Sequence, residues 1–203
     1  MSTHAATVPH DPAIAGAFER QGFVVIAPLA PPAQVAMARD HMLTRLKTGT
    51  LTIDSTLGTD IPAIYGDPVM DGLMNALLPR VEYCTGLALY PTYSYARIYK
   101  TGDALRPHRD RRACEISVSL CLGQTPATPW ALCIQGRDKV QAAAMLNPGD
   151  ALIYHGIELT HWRKPYEGEQ LVQVFMHYVN QHGPNAGERF DGRPALGMPL
   201  ARR

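Results

Sequence analysis

The sequence predicts an α+β fold in which an N-terminal helical part packs against a C-terminal β-domain. Helical periods with helix-opening signals occupy the first 88 residues, and short β-branched and aromatic segments separated by turn residues follow from about residue 89. The chain of 203 residues also contains 17 glycines and 17 prolines, which favours strands joined by turns over a helical bundle. A sandwich or a barrel is therefore the expected form of the β-domain.

Two of the three predicted helices begin at an Asp-Pro pair. Asp11 precedes Pro12, and Asp67 precedes Pro68. Aspartate can accept hydrogen bonds from the free N–H groups of a first helical turn, and proline fits the first helical position. Pro79 lies inside the third helix and is expected to break or kink it.

The chain between these two signals contains a strand, a helix and a loop. The apolar run Phe23–Ile26 follows Gly22, which should end the first helix, and it is typical of a short buried strand. Pro31-Pro32 opens a second helix that ends near Gly49. The Thr- and Gly-rich segment 49–66 has no clear period, so we expect a loop there that could act as a lid.

Six segments of the second half are predicted strands: 93–100, 113–122, 130–135, 140–146, 150–155 and 169–179. We divide the chain accordingly into three parts. An N-terminal helical extension over residues 1–88 packs on a β-core over residues 89–180, and residues 181–203 form a C-terminal tail that has no predicted structure.

Composition excludes several classes of function. The chain has 19 Lys and Arg against 18 Asp and Glu, which gives a formal charge of +1. A charge that small argues against nucleic-acid binding and against a polybasic membrane anchor. No apolar run approaches the roughly 18 residues of a membrane span, and the first residues do not resemble a secretory signal. Four cysteines without a CxxC pair indicate reduced thiols, and hence the cytoplasm.

The candidate chemistry centres on His108, Asp110 and His161. Side chains two apart on a strand share a face, so His108 and Asp110 could offer a nitrogen and a carboxylate oxygen to one metal ion. A third ligand must come from elsewhere in the sheet, and His161 follows the strand 150–155 and its loop. Two histidines and one carboxylate on one face of a metal leave positions open, as in Fe(II) oxygenases.

Two alternatives stay open on the residues alone. The His-x-Asp pair could be a surface turn with a solvated aspartate, since a chain with eight histidines produces such pairs by chance. His155 directly follows the strand and competes with His161 for the place of the third ligand. If His155 is not a ligand, we expect it to line a pocket wall or to be a hydrogen-bonded loop residue.

Two motifs resemble those of the prolyl-hydroxylase-like 2-oxoglutarate/Fe(II) dioxygenases. In that family a strand ends in Tyr, a turn Gly follows three residues later, and Pro-His-x-Asp comes next; here these fall on Tyr99, Gly102 and 107–110. Further on, PGDALIYHGIELTHWRKP resembles the family's Pro-Gly-Asp, apolar strand, loop and His-x-x-x-Pro, which assigns the distal ligand to His161. The resemblance covers roughly residues 89–180.

The resemblance implies a double-stranded β-helix (jelly-roll, cupin-like) core with an N-terminal helical buttress. It implies that His108, Asp110 and His161 bind Fe(II), with 2-oxoglutarate as the chelating cosubstrate and O2 in the remaining position. The implied activity is that of a dioxygenase that hydroxylates an unactivated C–H bond. A compact chain suits a small molecule, an amino acid or a peptide residue as substrate, and neither the substrate nor the oligomeric state is fixed by the sequence.

The chain departs from the family where the cation for the far carboxylate of 2-oxoglutarate belongs. The family has Gly-x-Arg or Gly-x-Lys shortly after the distal histidine, and Gln170 stands at that position here. Glutamine can hydrogen-bond a carboxylate but supplies no charge. Another residue must then supply the cation, or 2-oxoglutarate is not the cosubstrate.

Arg97 is the first candidate for that cation, and Arg163 is the second. Arg97 shares a strand face with Tyr99, and an arginine inside a barrel needs an anion; if that face points outward, Arg97 would instead pair with a surface carboxylate. Gln173 and His177 lie four apart on one face of the last strand and could be polar lining of the same pocket or ordinary residues of a solvated face. The full set assigned to the cosubstrate is Arg97, Tyr99, Arg163, Gln170 and Gln173.

Four arginines crowd around the proposed ligands in the run RPHRDRR: Arg106, Arg109, Arg111 and Arg112. Such a patch could steer a small anion toward the metal, or it could be a solvated turn. Two rival functions remain beside the oxygenase. One is a metal-dependent β-barrel enzyme that does not use 2-oxoglutarate, and the other is a non-catalytic barrel that binds a ligand or partner.

Overall fold

A computed structural model of the chain describes residues 8–56 and 60–199. The α-helices of these ranges are α1 (Pro12–Gln21), α2 (Pro32–Lys47) and α3 (Pro68–Thr85). The strands are β1 (Phe23–Ile26), β2 (Thr52–Asp54), β3 (Ile61–Tyr65), β4 (Leu89–Lys100), β5 (Leu105–His108), β6 (Ile116–Thr125), β7 (Leu132–Gln135), β8 (Gln141–Ala144), β9 (Ala151–His155), β10 (His161–Arg163) and β11 (Gln170–Asn180). Short 3-10 segments span Arg112–Cys114 and Ala186–Gly192.

The helices begin where the sequence predicts. Asp11 and Asp67 accept hydrogen bonds from backbone N–H groups of the first turns of α1 and α3. Pro79 does not break α3, which continues through it. Leu77 and Val81 are buried on either side of that proline and hold the helix in place although one N–H group is missing. Among the described residues, no helix combines the length and the apolar character that crossing a membrane would require.

The larger sheet has seven strands in the order β1-β9-β6-β11-β4-β3-β2. Three of its strands precede residue 89, so the N-terminal part is not only a helical extension. Segment 49–66 is not simply a loop either, because it contains β2 and β3, and β3 pairs with β4. Ile61 and Ala63 alternate into the protein interior along β3, a pattern too short to recognise in the sequence.

The smaller sheet has four strands in the order β5-β10-β7-β8. β5 and β10 contain only four and three residues, so the sequence pattern does not reveal them. Strand alternation separates two cores: Val118 and Leu120 pack with the helices, whereas Cys121 points to the interior between the sheets. This is the predicted α+β class, with helices on the outer face of a two-sheet jelly roll.

The C-terminal segment packs against the sheet, although the sequence predicts no structure for it. Arg193 is buried, and its guanidinium donates to the buried Asp71 carboxylate over 2.7 Å and to the Thr92 carbonyl over 2.8 Å. Phe190 and Asp191 adopt positive φ angles of 58° and 54° in the turn before it. These long-range contacts, rather than a local period, order the segment.

Candidate functional site

The two candidate histidine ligands face each other across the smaller sheet. β10 pairs with β5 so that His161 is directly opposite His108, and their ring centroids lie 4.2 Å apart. β5 ends at His108, so Asp110 does not lie on the strand as expected. The Asp110 N–H donates to the Gly156 carbonyl over 2.9 Å, which turns the carboxylate back toward both rings.

The donor atoms of the three side chains converge on one point. Asp110 Oδ1 lies 3.5 Å from His108 Nε2 and 3.6 Å from His161 Nε2. One potential ligand atom from each residue falls within 4.8 Å of the other two. The structure therefore brings together the three residues that the sequence assigns to the metal.

Both histidines are oriented by their second ring nitrogen. His108 Nδ1 donates to the Arg106 carbonyl at 2.9 Å, and His161 Nδ1 donates to the Leu159 carbonyl at 3.1 Å. A neutral imidazole that carries its proton on Nδ1 has a free lone pair on Nε2. Carbonyl partners of this kind fix the tautomer and the ring orientation of metal-binding histidines.

The protonation states of Asp110 and His161 suit a cation at this place. Burial lowers the pKa of His108, but its hydrogen bonds with Asp110 and the Arg106 carbonyl outweigh burial and raise it, so a cation that binds Nε2 must displace a proton from that ring. Burial lowers the pKa of His161, so the ring is neutral near pH 7. Burial disfavours ionisation of Asp110, but its hydrogen bond with His108 and the nearby histidines hold its pKa below the ordinary value. The site thus offers an ionised carboxylate beside a neutral imidazole, as metal binding requires.

Gly156 is part of the site although the sequence analysis did not select it. A Cβ atom at this position would collide with Asp110 Oδ2 and the Cys114 carbonyl, and it would lie 2.6 Å from Ser117 Oγ. Glycine is therefore the residue that lets the β9–β10 loop approach Asp110. A glycine directly after His155 in the proposed loop was the available signal.

The candidate ligands form one wall of a cavity of about 290 Å³. The rest of the wall is mainly aromatic and cationic. Besides the three candidate ligands, the lining residues are Tyr65, Tyr93, Tyr95, Arg97, Leu105, Arg111, Tyr154, Phe175 and His177.

Arg97 points into this cavity and contacts a carboxylate that the sequence analysis did not select. Nη2 of Arg97 donates to Asp54 Oδ2, and the Tyr95 hydroxyl donates to the same oxygen over 2.7 Å. Nη1 donates to the Tyr99 hydroxyl over 3.3 Å. Hydrogen bonds from Thr56 and Tyr95 together with the Arg97 charge outweigh burial and lower the pKa of Asp54. Arg97 is inward-facing, but its charge is paired.

Arg163 lies deeper, between the two sheets, and is 3% exposed. Its Nη1 donates to the Trp130 carbonyl, its Nη2 lies 3.4 Å from Gln173 Oε1, and its guanidinium stacks 4.6 Å from the Trp130 ring centroid. Gln173 in turn donates to Ser119 Oγ over 2.9 Å. Among the described residues no carboxylate forms an ion pair with Arg163, and burial lowers its pKa.

Gln170 does not face the cavity. Leu171, Gln173 and Phe175 alternate into the interior between the sheets, so Gln170 belongs to the opposite face of β11, with Val172. The structure therefore places Gln173, and not Gln170, beside Arg163. Successive side chains of a strand point to opposite faces of the sheet. A shift of one residue in where β11 begins therefore moves each of its side chains to the other face.

His155 lies away from the convergent donors. Its ring stacks on Phe18 at 4.6 Å between centroids, and Nδ1 lies 3.6 Å from Glu158 Oε1. Of the four arginines near the ligands, Arg111 lines the cavity. The other three have exposed side chains: Arg106 on β5, Arg109 after that strand, and Arg112 in the short 3-10 segment.

A residue of the C-terminal segment contacts two residues of the cavity wall. Both oxygens of Asp191 accept from Arg111 over 2.6 Å, and the Tyr65 hydroxyl donates to Asp191 Oδ2. Sequence reasoning had no signal for this contact, because Asp191 is 80 residues from Arg111.

A second group of potential ligand atoms shares Asp110 and adds Cys114 and His177. The Ser117 hydroxyl already joins two members of this group, since it lies 2.9 Å from Asp110 Oδ2 and 3.0 Å from His177 Nδ1. Burial raises the pKa of the Cys114 thiol to about 12, so it remains protonated. We therefore interpret this group as a hydrogen-bonded support of Asp110.

Comparison with known proteins identifies the fold. No protein-family model matches the chain, and no curated protein matches it. Among solved structures, a Pseudomonas putida prolyl-4-hydroxylase superposes with a TM-score of 0.67 at 18% identity over 83% of this chain and 97% of that one. The α-ketoglutarate-dependent epimerase SnoN from nogalamycin biosynthesis gives a TM-score of 0.71 at 16% identity, over 95% and 94% of the two chains.

EctD from S. alaskensis, in complex with 2-oxoglutarate and 5-hydroxyectoine, is similar over nearly the whole chain. Its TM-score is 0.67 at 14% identity, over 99% of this chain and 98% of EctD. These likenesses confirm the predicted double-stranded β-helix with its helical buttress.

Proposed function

We propose that the protein is a non-haem Fe(II)- and 2-oxoglutarate-dependent oxygenase. The observation that carries the proposal is the convergence of His108, Asp110 and His161 at the wall of a cavity inside a double-stranded β-helix. Two histidines and one carboxylate on one face of a metal leave positions open for a chelating cosubstrate and for O2.

The residues present fit an iron ion. Nε2 of His108 and of His161 would bind it through their lone pairs, and Asp110 would bind it through Oδ1. When bound, iron supplies the oxidising chemistry, in which O2 oxidises a substrate C–H bond while 2-oxoglutarate becomes succinate and CO2. The chain itself holds the three ligands and leaves one side of the site open.

We propose Arg163 as the partner of the far carboxylate of 2-oxoglutarate. A buried cation without a carboxylate partner is costly, and a dicarboxylate would remove that cost. Arg163 shares the inward face of β10 with His161, at a Cα separation of about 6–7 Å. Gln173 and Tyr99 are its polar neighbours. Arg97, the first candidate on sequence, lines the cavity and already contacts Asp54.

The substrate in this proposal is a small molecule, an amino acid or a peptide residue, with hydroxylation as the reaction. The cavity volume of about 290 Å³ and its four tyrosines support a compact substrate. We place the enzyme in the cytoplasm, which four free cysteines support. The net charge of +1 supports a role without nucleic acid.

The test is turnover of 2-oxoglutarate without added substrate. Purified protein with Fe(II), ascorbate and 2-oxoglutarate should consume O2 and form succinate in equal amounts. Asp110→Ala should abolish both, whereas Asp138→Ala, in an exposed turn, should not. Iron-dependent O2 uptake without succinate would favour a metal enzyme that does not use 2-oxoglutarate. A wild-type protein that binds neither Fe(II) nor 2-oxoglutarate would favour a non-catalytic barrel.

A further inference from the structure

The carboxylate of Asp110 is held by two residues outside the candidate ligand set. Ser117 Oγ donates to Asp110 Oδ2 over 2.9 Å, and His177 Nδ1 lies 3.0 Å from the same hydroxyl. A serine hydroxyl carries a single proton. If that proton goes to Asp110, the hydroxyl must accept from the Nδ1–H group of His177.

The framework of the larger sheet fixes these two residues. Ser117 on β6 and His177 on β11 are directly opposite each other in the strand register, and β6 and β11 are inner strands of the sheet. Ser117 is fully buried and His177 is 6% exposed. The His177 ring also packs against Tyr93, with 4.6 Å between the centroids. Neither side chain can move far without disturbing the sheet.

The hydrogen bond distinguishes the two oxygens of Asp110. Oδ2 is engaged by Ser117, whereas Oδ1 is the oxygen that lies 3.5 Å and 3.6 Å from the two histidine Nε2 atoms. Asp110 follows the end of β5, so its own strand does not fix its rotamer. The support has to come from the other sheet.

We propose that Ser117 and His177 are positioning residues that set Asp110 to bind the metal through Oδ1 alone. The proposal rests on the proposed function of this site as an iron centre. Holding Oδ2 prevents the carboxylate from chelating the metal with both oxygens, and so keeps a coordination position open for cosubstrate or O2. Such outer contacts typically change metal affinity 10- to 100-fold.

The test is Co(II) titration of the whole chain, followed by the visible absorption of the bound ion. Ser117→Ala should lower Co(II) affinity about tenfold or more and should change the band shape, because the carboxylate is free to turn. Ser119→Ala is the matched control, since this serine lies two residues along the same face of β6, is equally buried, and contacts Gln173 instead of Asp110. Its Co(II) affinity should match that of the wild type.

A second pair of variants separates positioning from packing. His177→Asn retains an N–H donor near the place of Nδ1, whereas His177→Phe retains only the aromatic contact with Tyr93. We expect Asn to give Co(II) affinity within about twofold of wild type and Phe to give a clear fall. In the Phe variant the hydroxyl can turn to the Cys114 carbonyl, 3.2 Å away.

The outcomes distinguish this inference from the proposed function. Wild-type protein that does not bind Co(II) would contradict the iron centre itself. Normal Co(II) binding with equal affinities for Ser117→Ala and Ser119→Ala would overturn the positioning role alone. Equal losses for the Asn and Phe variants would also overturn it, because packing would then explain the effect. If Ser117→Ala does not fold, the comparison of His177→Asn with His177→Phe still tests the positioning role.

Discussion

His161 on β10 lies directly opposite His108 on β5, and their ring centroids are 4.2 Å apart. The candidate metal centre is therefore built on the register of two very short strands. A slip of one residue between them would turn one ring to the other face of the sheet. The site therefore depends on the contacts that hold these two strands in place.

Arg163→Met should lower the affinity for 2-oxoglutarate at least about tenfold, because a charge-assisted hydrogen bond inside the protein is lost. In the absence of ligand, the same change should leave the free energy of unfolding unchanged or raise it, since a buried cation without a carboxylate partner is removed. Isothermal titration with Fe(II)-loaded protein under argon and urea denaturation of the apo form measure the two effects.

The matched controls for this prediction are Arg97→Met and Gln170→Ala. Gln170 lies on the far face of β11, so its removal should not alter the dissociation constant. A loss of 2-oxoglutarate affinity that is larger for Arg97→Met than for Arg163→Met would contradict the assignment and restore Arg97 as the anchor.

Gly156→Ala should reduce Fe(II) affinity at least about tenfold while the chain stays folded. The added methyl group would collide with Asp110 Oδ2, with the Cys114 carbonyl and with the Ser117 hydroxyl, and so displace the carboxylate and the backbone beside it. Gly72→Ala in α3 is the control, since no atom lies within 4 Å of its added Cβ. Metal titration of both variants checks this; unchanged affinity for Gly156→Ala would show that Asp110 does not need its present position.

Arg193→Ala should destabilise the protein by about 3–5 kcal/mol, because Asp71 would remain buried without its partner. Arg39→Ala removes an exposed ion pair with Asp40 and should cost about 1 kcal/mol or less. Urea denaturation followed by circular dichroism compares the two. Equal, small effects would mean that the C-terminal segment is not anchored as described.

His155 should make the apo protein less stable as the pH falls. Burial lowers its pKa to about 4, below the ordinary 6.5, so the folded state favours the neutral ring. That stability is fully present above pH 6.5 and is lost as the pH falls toward 4. Between pH 7 and pH 4.5 we expect His155→Gln to lose less free energy of unfolding than wild type, by on the order of 2 kcal/mol. Parallel pH dependences would show that His155 does not titrate in this way.

Local signals predicted the helices, whereas long-range contacts decided most of the site. Asp11 and Asp67 predict the starts of α1 and α3 because an N-cap residue directly precedes its helix in the chain. β5 and β10 are too short to show a period, and only a motif indicated that His108 and His161 meet. Contacts such as Asp191 with Arg111 join segments 80 residues apart and leave no trace in the sequence.

The anchor residue illustrates the limit most clearly. The resemblance to the family put Gln170 at the position of the expected cation, but the face of a side chain depends on where β11 begins. The structure places Gln173 beside Arg163. The sequence offered Arg163 only as the second candidate cation, and it left Gln173 between pocket lining and a solvated face. The sequence could not show that Asp54 pairs with Arg97. The two residues come together only because β3 pairs with both β2 and β4 in the folded sheet.

Anaerobic titration of Fe(II)-loaded protein with 2-oxoglutarate, followed by visible absorption, is the most direct test of the proposed iron centre. We predict a charge-transfer band that saturates at one equivalent, is retained in His155→Ala and is lost in His161→Ala. A wild-type protein that shows no band would contradict the proposed iron centre. A band unchanged by His161→Ala would contradict His161 as a metal ligand.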